Sequence, residues 1–503
     1  LRSQKRSTMG RELWEQILQN QEVRQNLSKL RKELKNGGEK AAFLYMIAGQ
    51  EEKLTALLQL EDAKIRKNAA LLMGDLGKAE FLKPLYDAYV AEEQLFVKSS
   101  YLAAMRNFDY RDYLEAFHIR LEELTNMQMT PENQKHLAEE MRQLSAMVVT
   151  MEGVRAHTFV GMNETYDVIL LTNRNHQAVT EKALLEQEPQ AKTKIFGAGV
   201  MARVANLNWM NEVRTYQELL FVIKGMQTCP MEPEKAAELI VQSEFLEFLG
   251  KGHKGTAPYY FRIELKSKAD LGKRSTFTKK LAMQIEKLSD RTLINSTSNY
   301  EVEIRLIENK EGECNILAKL YTLKDERFHY RRESVSASIK PVNAALTVAL
   351  AKEYLKEDAQ VLDPFCGVGT MLIERHKAVK ANTTYGIDFY EEAVEKAKVN
   401  TEAAHQIIHY INRNFFDFEH EYLFDEIITN MPFCIGRKTE EEILEVYERF
   451  FPAAKRVLKE DGTIILYTHD REYVNEIAPS SGYTVQKEYE ISQREGTFVM
   501  VLQ

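Results

Sequence analysis

The feature that most constrains this chain is the regular alternation of strand and helix that runs from Ser334 to its end. Strand Gln360 to Asp363 enters the turn Pro364-Phe365-Cys366-Gly367-Val368-Gly369-Thr370, and a helix from Met371 to Val379 follows. Strand Thr384 to Ile387 then closes on Asp388. A helix at 391–404, strands near 407–410 and 424–429, a helix at 440–458 and a strand at 463–467 come next. A final strand pair, 483–491 and 497–502, closes the chain. Apolar runs of strand length separated by amphipathic segments predict a parallel sheet covered on both faces and ending in an antiparallel hairpin. Such sheets bind ligands at the carboxyl ends of their strands, where the strand order reverses.

Four of those strand ends carry residues suited to a small polar ligand. Gly367-Val368-Gly369 allows a tight turn and close backbone approach, although it lacks the third glycine of a dinucleotide-binding fingerprint. Asp388 closes the next strand, where a carboxylate can accept ribose hydroxyls. Asp417, in Asn414-Phe415-Phe416-Asp417, is placed to accept an exocyclic amine. Asn430-Met431-Pro432-Phe433 follows the strand after that.

Asp363-Pro-Phe-Cys-Gly-Val-Gly-Thr370 together with Asn430-Met-Pro-Phe433 resembles the class I S-adenosylmethionine-dependent methyltransferases, in particular the branch that carries a THUMP RNA-binding domain and methylates the N2 amine of guanosine in tRNA. The resemblance covers about 155–503. It implies that Asp363, Pro364, Phe365, Gly367, Gly369 and Thr370 surround the methionine part of S-adenosylmethionine, with Asp388 on its ribose and Asp417 on its adenine. Asn430 and a backbone carbonyl of the 430–432 turn would accept the two N–H bonds of the acceptor amine, Pro432 would fix the turn, and Phe433 would stack on the base. The commonest form of this motif has two prolines before the aromatic residue. Met431 in place of the first favours guanine N2 over adenine N6. The resemblance points to position 6 of the acceptor stem as a candidate nucleotide and requires no metal.

The rest of the chain has a different grammar, so the expected fold class is multi-domain. Residues 1–120 read as all-α, with two segments, Ile65 to Leu76 and Val97 to Phe108, that are similar to the second helix of HEAT-type repeats. Small residues such as Ala69, Ala70, Ala103 and Ala104 would let stacked helices approach closely. A Glu/Gln/Met-rich helical linker is expected at 121–155, a ferredoxin-like α+β unit at 156–230, a THUMP-like RNA-binding unit at 231–333, and the Rossmann-like methyltransferase domain at 334–503. Within 156–333 the expected strands include 166–171, 199–204, 218–223, 259–265, 300–308 and 316–320, and the expected helices are 178–188, 234–249 and 277–288.

Charge singles out the THUMP-like unit. The whole chain is acidic, with 67 Lys and Arg against 75 Asp and Glu, so bulk charge does not attract nucleic acid. Residues 251–280 nevertheless hold nine basic residues against two acids, and residues 319–340 hold six against three. Aromatic Tyr259, Tyr260, Phe261 and Phe328 are interleaved. Lys273, Arg274, Lys279, Lys280, Arg331 and Arg332 are therefore the expected RNA contacts.

Cys229, Cys314, Cys366 and Cys434 form no CxxC pair, and none has a neighbouring His at zinc-ligand spacing. No apolar run is long enough to span a bilayer, and the first thirty residues lack the apolar core of a signal peptide. The expectation is a cytoplasmic, metal-free enzyme acting on tRNA or another structured RNA, with a protein partner for the helical repeats. The alternatives are a ribosomal RNA guanosine, a DNA adenine or a protein glutamine as acceptor, or a non-catalytic RNA-binding scaffold with a vestigial methyltransferase domain.

Overall fold

Helical periodicity governs the chain as far as Glu152. The structure is a computed structural model that describes residues 2–35, 37–128, 130–152 and 157–503. Its first helices are α1 (Arg2–Leu18), α2 (Val23–Glu33), α3 (Gly37–Ile47), α4 (Glu51–Thr55), α5 (Ala63–Leu76), α6 (Leu82–Ala91), α7 (Leu95–Met105), α8 (Leu114–Asn126) and α9 (Gln134–Glu152). Asp62 caps α5 by accepting the N–H groups of Lys64 and Ile65, and left-handed Gly77 ends it. Helices α2, α5, α7 and α9 pack side by side in succession. The expected close approach occurs at Gly74 of α5, where a Cβ would lie 2.7 Å from the Ala104 Cα of α7.

One boundary expectation is corrected. Residues 121–155 are not a linker, because Leu121, Leu124, Leu137, Met141, Leu144 and Met147 belong to the same apolar core as Leu72 and Leu102. The Glu/Gln-rich composition reflects mainly the outer face of α9, although Glu140 and Gln143 are buried; the apolar residues recur at helical spacing on the inner face. The expected end of the linker at 155 lies outside the described residues.

The middle region contains β1 (Thr158–Phe159), β2 (Tyr166–Leu171), α10 (Gln177–Gln187), β3 (Lys192–Phe196), β4 (Gly199–Val204), β5 (Glu218–Val222), β6 (Thr228–Cys229), α11 (Pro233–Gln242), α12 (Phe245–Gly252), β7 (His253–Lys254), β8 (Tyr259–Lys266), α13 (Leu271–Leu288), β9 (Leu293–Asn295), β10 (Val302–Glu308) and β11 (Cys314–Leu320). The boundary expected at 230 does not divide two sheets. A single sheet runs β3-β4-β2-β5-β11-β10-β8-β9, joined where Phe221 of β5 faces Ala318 of β11, with β6 also paired to β11. One core underlies it, from Val168 and Phe221 to Phe261 and Leu306. The turn cluster at Cys229-Pro230 marks a turn between elements of that sheet. The helix expected at 234–249 is two helices. The Ser243 hydroxyl donates to the Ile240 carbonyl at 2.5 Å and accepts the Phe245 N–H at 3.1 Å, which diverts the backbone from helical pairing.

The last region contains α14 (Pro341–Leu350), β12 (Gln360–Asp363), α15 (Thr370–Ala378), β13 (Thr383–Asp388), α16 (Glu391–Ala403), β14 (His409–Asn412), β15 (Phe424–Asn430), α17 (Glu440–Val457), β16 (Leu458–Thr468), α18 (Arg471–Ile477), β17 (Val485–Ser492) and β18 (Thr497–Leu502). The sheet order is β14-β13-β12-β15-β16-β18-β17, parallel from β14 to β16 and antiparallel at β18 and β17. Apolar cores cover both faces. This region is locked to the middle one through the buried Glu374 of α15, which accepts from Arg214 at 2.7 and 2.8 Å and from the Tyr330 hydroxyl at 2.7 Å.

Candidate active site

The order of the seven-stranded sheet reverses between β12 and β15. From β12 the chain steps to β13 on one side, whereas from β15 it steps to β16 on the other. The carboxyl ends of β12 and β15 therefore border the crevice in which open α/β sheets hold their ligands.

On the β12 side the turn is pinned from several directions. Asp363 is 1% exposed, its Oδ1 accepts the Phe365 N–H at 3.0 Å, and burial pushes its carboxyl up to about 7. The Cys366 N–H donates to the Ile387 carbonyl, and the Gly367 N–H donates to Asp388 Oδ2, both at 2.9 Å. The Asn400 side chain of α16 donates to the Val368 carbonyl at 3.1 Å. Asp388 uses its other oxygen to accept the Tyr390 N–H at 2.9 Å, and burial raises its carboxyl above the usual range.

The two glycines do different work. Gly369 has φ +85°, and a Cβ there would come 2.3 Å from the Tyr410 hydroxyl, so it serves packing. Gly367 has φ +52°, and a Cβ there would meet nothing within 4 Å, so it faces open space. Thr370, at the N-terminus of α15, is buried with a hydroxyl that has no protein partner. Pro364 is buried, and the Phe365 ring packs on Phe415, Phe416 and Phe450.

Asp417 lies in the short turn that follows β14. The Phe415–Asp417 turn is capped by Asn414, whose side chain accepts the Phe416 N–H at 3.0 Å. Asp417 is exposed at the far end of that turn, and its carboxylate has no hydrogen bond or ion pair among the described residues. The sequence reading passed over Phe389 and Tyr390, which are 67% and 58% exposed directly after Asp388. Two aromatic residues next to an acid at a strand end were the available signal. A buried acid, an orphaned hydroxyl, open space before a glycine turn and an exposed ring fit a ligand with amino, ribosyl and adenine parts.

On the β15 side Asn430 is the last strand residue and faces Tyr467 of β16. Its Nδ2 donates to the Ala337 carbonyl at 3.4 Å, while its Oδ1 is buried with no partner. Pro432 and Phe433 are half-buried, and the Phe433 ring stacks on His469 at 3.9 Å and 19°. Met431 is fully buried in the core with Ile427 and Phe450, and its N–H donates to the Tyr467 carbonyl at 2.9 Å, a bond proline cannot make. Its side chain is buried away from the crevice, so Met431 itself does not discriminate guanine from adenine. Cys366 is buried and Cys434 exposed.

The basic residues separate into two groups. Lys273, Lys279 and Lys280 are exposed along α13, and Arg332 is exposed beyond β11. Arg274 is half-buried, with an Nε that has no partner. Arg331 is corrected. Its guanidinium donates to the carbonyls of Glu333 and Ile339, at 3.2 and 2.8 Å, and so braces the connection that carries Ala337 to Asn430. Arg262, counted in the basic zone, is engaged by Glu303 at 2.7 Å and lies over the Tyr300 ring. Among the described residues no group of three or more His, Cys, Asp or Glu is arranged to hold a metal ion, and no helix is long and apolar enough to cross a membrane.

Residues 329–497 match the family model described as UPF0020, RMKL-like, methyltransferase domain. This part of the chain is similar to that methyltransferase domain. Over 158 residues the chain is 27% identical to the ribosomal protein L11 methyltransferase of Dictyoglomus turgidum; the match covers 31% of this chain and spans about half of that relative, 48%. The fold is similar to that of TrmN from Thermus thermophilus, with 17% identity, a TM-score of 0.51, and coverage of 68% of this chain and 99% of that one. It is also similar to a protein described as a predicted N6-adenine-specific DNA methylase from Listeria monocytogenes, at 16% identity, TM-score 0.52, and 67% and 96% coverage. A third similar structure is SMU.472 complexed with SAH, at 14% identity, TM-score 0.53, and 68% and 98% coverage. The C-terminal domain thus has the class I methyltransferase fold, and S-adenosylmethionine is the cofactor these findings support.

Proposed function

We propose that the protein transfers a methyl group from S-adenosylmethionine to the exocyclic N2 amine of a guanosine in tRNA. The observation that carries this reading is the buried, unpaired Oδ1 of Asn430 at the rim of the crevice. An unsatisfied buried acceptor costs about 1–3 kcal/mol, a cost that an incoming N–H donor removes. The bound cofactor supplies an electrophilic methyl group on a sulfonium.

Everything else is work for this chain's residues. Asp363, the Gly367 turn and Thr370 hold the amino-acid part of the cofactor, Asp388 takes its ribose, and Phe389 offers a ring to its adenine. Asn430 and the carbonyls of its turn accept the amine N–H bonds, which draws the nitrogen lone pair out of conjugation and aims it across the crevice; as the N–CH3 bond formed, the S–CH3 bond would break to leave a neutral thioether, and the nitrogen would give up one proton along an N–H···O bond to solvent. Phe433 stacks on the base. The rate enhancement comes from positioning and from acceptors preorganised for the positive charge that develops on nitrogen. A guanine within a duplex must leave the stack to enter.

RNA as the substrate rests on the exposed lysines of α13, a helix packed on the sheet unit that is joined to the C-terminal domain through Glu374. The test is mass spectrometry of tRNA nucleosides after incubation with labelled cofactor. Labelled N2-methylguanosine is the expected product. Label only in N6-methyladenosine would change the acceptor, and no label in any RNA would sink the reading.

A further inference from the structure

The acceptor loop has a support that the sequence motif does not contain. Among the described residues the one ring contact of Phe433 is with His469, which follows the end of β16. His469 is itself met edge-on by Tyr467, at 6.2 Å between centroids and 80°. The Tyr467 hydroxyl in turn accepts from the buried Asn343 of α14 at 3.4 Å. An aromatic ladder thus runs from the sheet interior to the loop, with His469 as its middle rung.

Histidine is a costly choice for that rung. Its Nδ1 is buried without a partner, whereas a phenylalanine would stack equally well and leave nothing unpaired. We infer that His469 is a positioning residue for the acceptor base: it covers one face of Phe433 and holds the other face at the tilt on which the base stacks. This rests on the reading of Asn430 to Phe433 as the acceptor site.

A polar ring in this place also makes the ladder sensitive to protonation. Burial lowers the pKa of His469. Glu495, in the turn between β17 and β18, is the charged group that acts in the opposite direction. At neutral pH the ring is uncharged and stacks. In acid the imidazolium is drawn toward water and toward Glu495, and Phe433 loses its backing.

The experiment compares wild type, His469→Ala and His469→Phe in steady-state methyl transfer to tRNA across pH, with cofactor binding measured separately. The expected result is a KM for tRNA raised about tenfold in His469→Ala at neutral pH, with an unchanged cofactor Kd. With cofactor saturating at every pH, so that Asp363 does not contribute, His469→Phe should stay within about twofold of wild type at neutral pH and lose the acidic fall in kcat/KM for tRNA. A His469→Ala enzyme with wild-type KM and kcat overturns the inference alone. So does a His469→Phe enzyme as impaired as His469→Ala, since the nitrogen and not the stack would then matter. A wild-type protein that methylates no RNA overturns the inference together with the reading beneath it.

Discussion

The two strand ends that face each other across the crevice are built on opposite principles. At the end of β12 the backbone is held from three sides, by Asp388, by the Ile387 carbonyl and by Asn400. At the end of β15 two acceptors are left wanting: among the described residues Asn430 Oδ1 has no partner, and His469 Nδ1 beside the loop has none. The first end is held by the protein's own atoms except at the Thr370 hydroxyl, whereas the second leaves its acceptor unpaired among the described residues. That contrast is what the proposed division into a cofactor side and an acceptor side requires.

The sharpest way to break this comparison is Asn430→Ala. It removes an acceptor used only in the reaction, so kcat should fall by about 100- to 1,000-fold with cofactor Kd nearly unchanged; a parallel loss of cofactor binding in calorimetry would merge the two sides. Next in size is reversal of Lys273, Lys279 and Lys280 to Glu. Filter binding should show tRNA affinity reduced by about tenfold or more and a shallower dependence on salt. Arg331→Ala, by contrast, should lower thermal stability and leave the salt slope alone, because its guanidinium serves two carbonyls.

A third effect depends on pH. The Asp363 carboxyl, raised to about 7 by burial, ionises more readily once a cationic ligand group is beside it. Cofactor binding should then release a proton, and affinity should rise as pH increases toward 7, by at most about tenfold per unit. Isothermal calorimetry in two buffers of different ionisation enthalpy measures this. Asp363→Asn should abolish the slope. The same raised pKa works against stability: the folded state keeps its proton where the unfolded chain has lost it, so stability falls as pH rises from the ordinary carboxylate range to 7 and is flat above. The smallest effect is Met431→Leu, a near volume-conserving change in the core. It should cost under about 1.5 kcal/mol and leave the ratio of guanosine to adenosine methylation unchanged.

The catalytic domain was legible because its strands are short apolar runs that end on chemically distinctive residues. Asp363, Gly367, Asp388 and Asn430 all stand at the strand ends where the pattern puts them. What the pattern hid was orientation. Met431 looks like a pocket residue in the motif, yet its N–H continues the ladder to Tyr467 and turns its side chain inward. Arg331 reads as a free cation because its partners are backbone carbonyls, which composition cannot reveal. His469 escaped notice because the contact that gives it meaning reaches across 36 residues of sequence.

The shared sheet of the middle region carries a practical consequence. An expression boundary or protease cut that separated residues on either side of 230 would strip β5 and β6 from β11 and leave two raw hydrogen-bonding edges, each a template for self-association. The span from 157 to 333 is therefore one structural unit. A fragment that begins just after residue 230 is expected to precipitate, whereas one that begins ahead of β1 is expected to stay in solution.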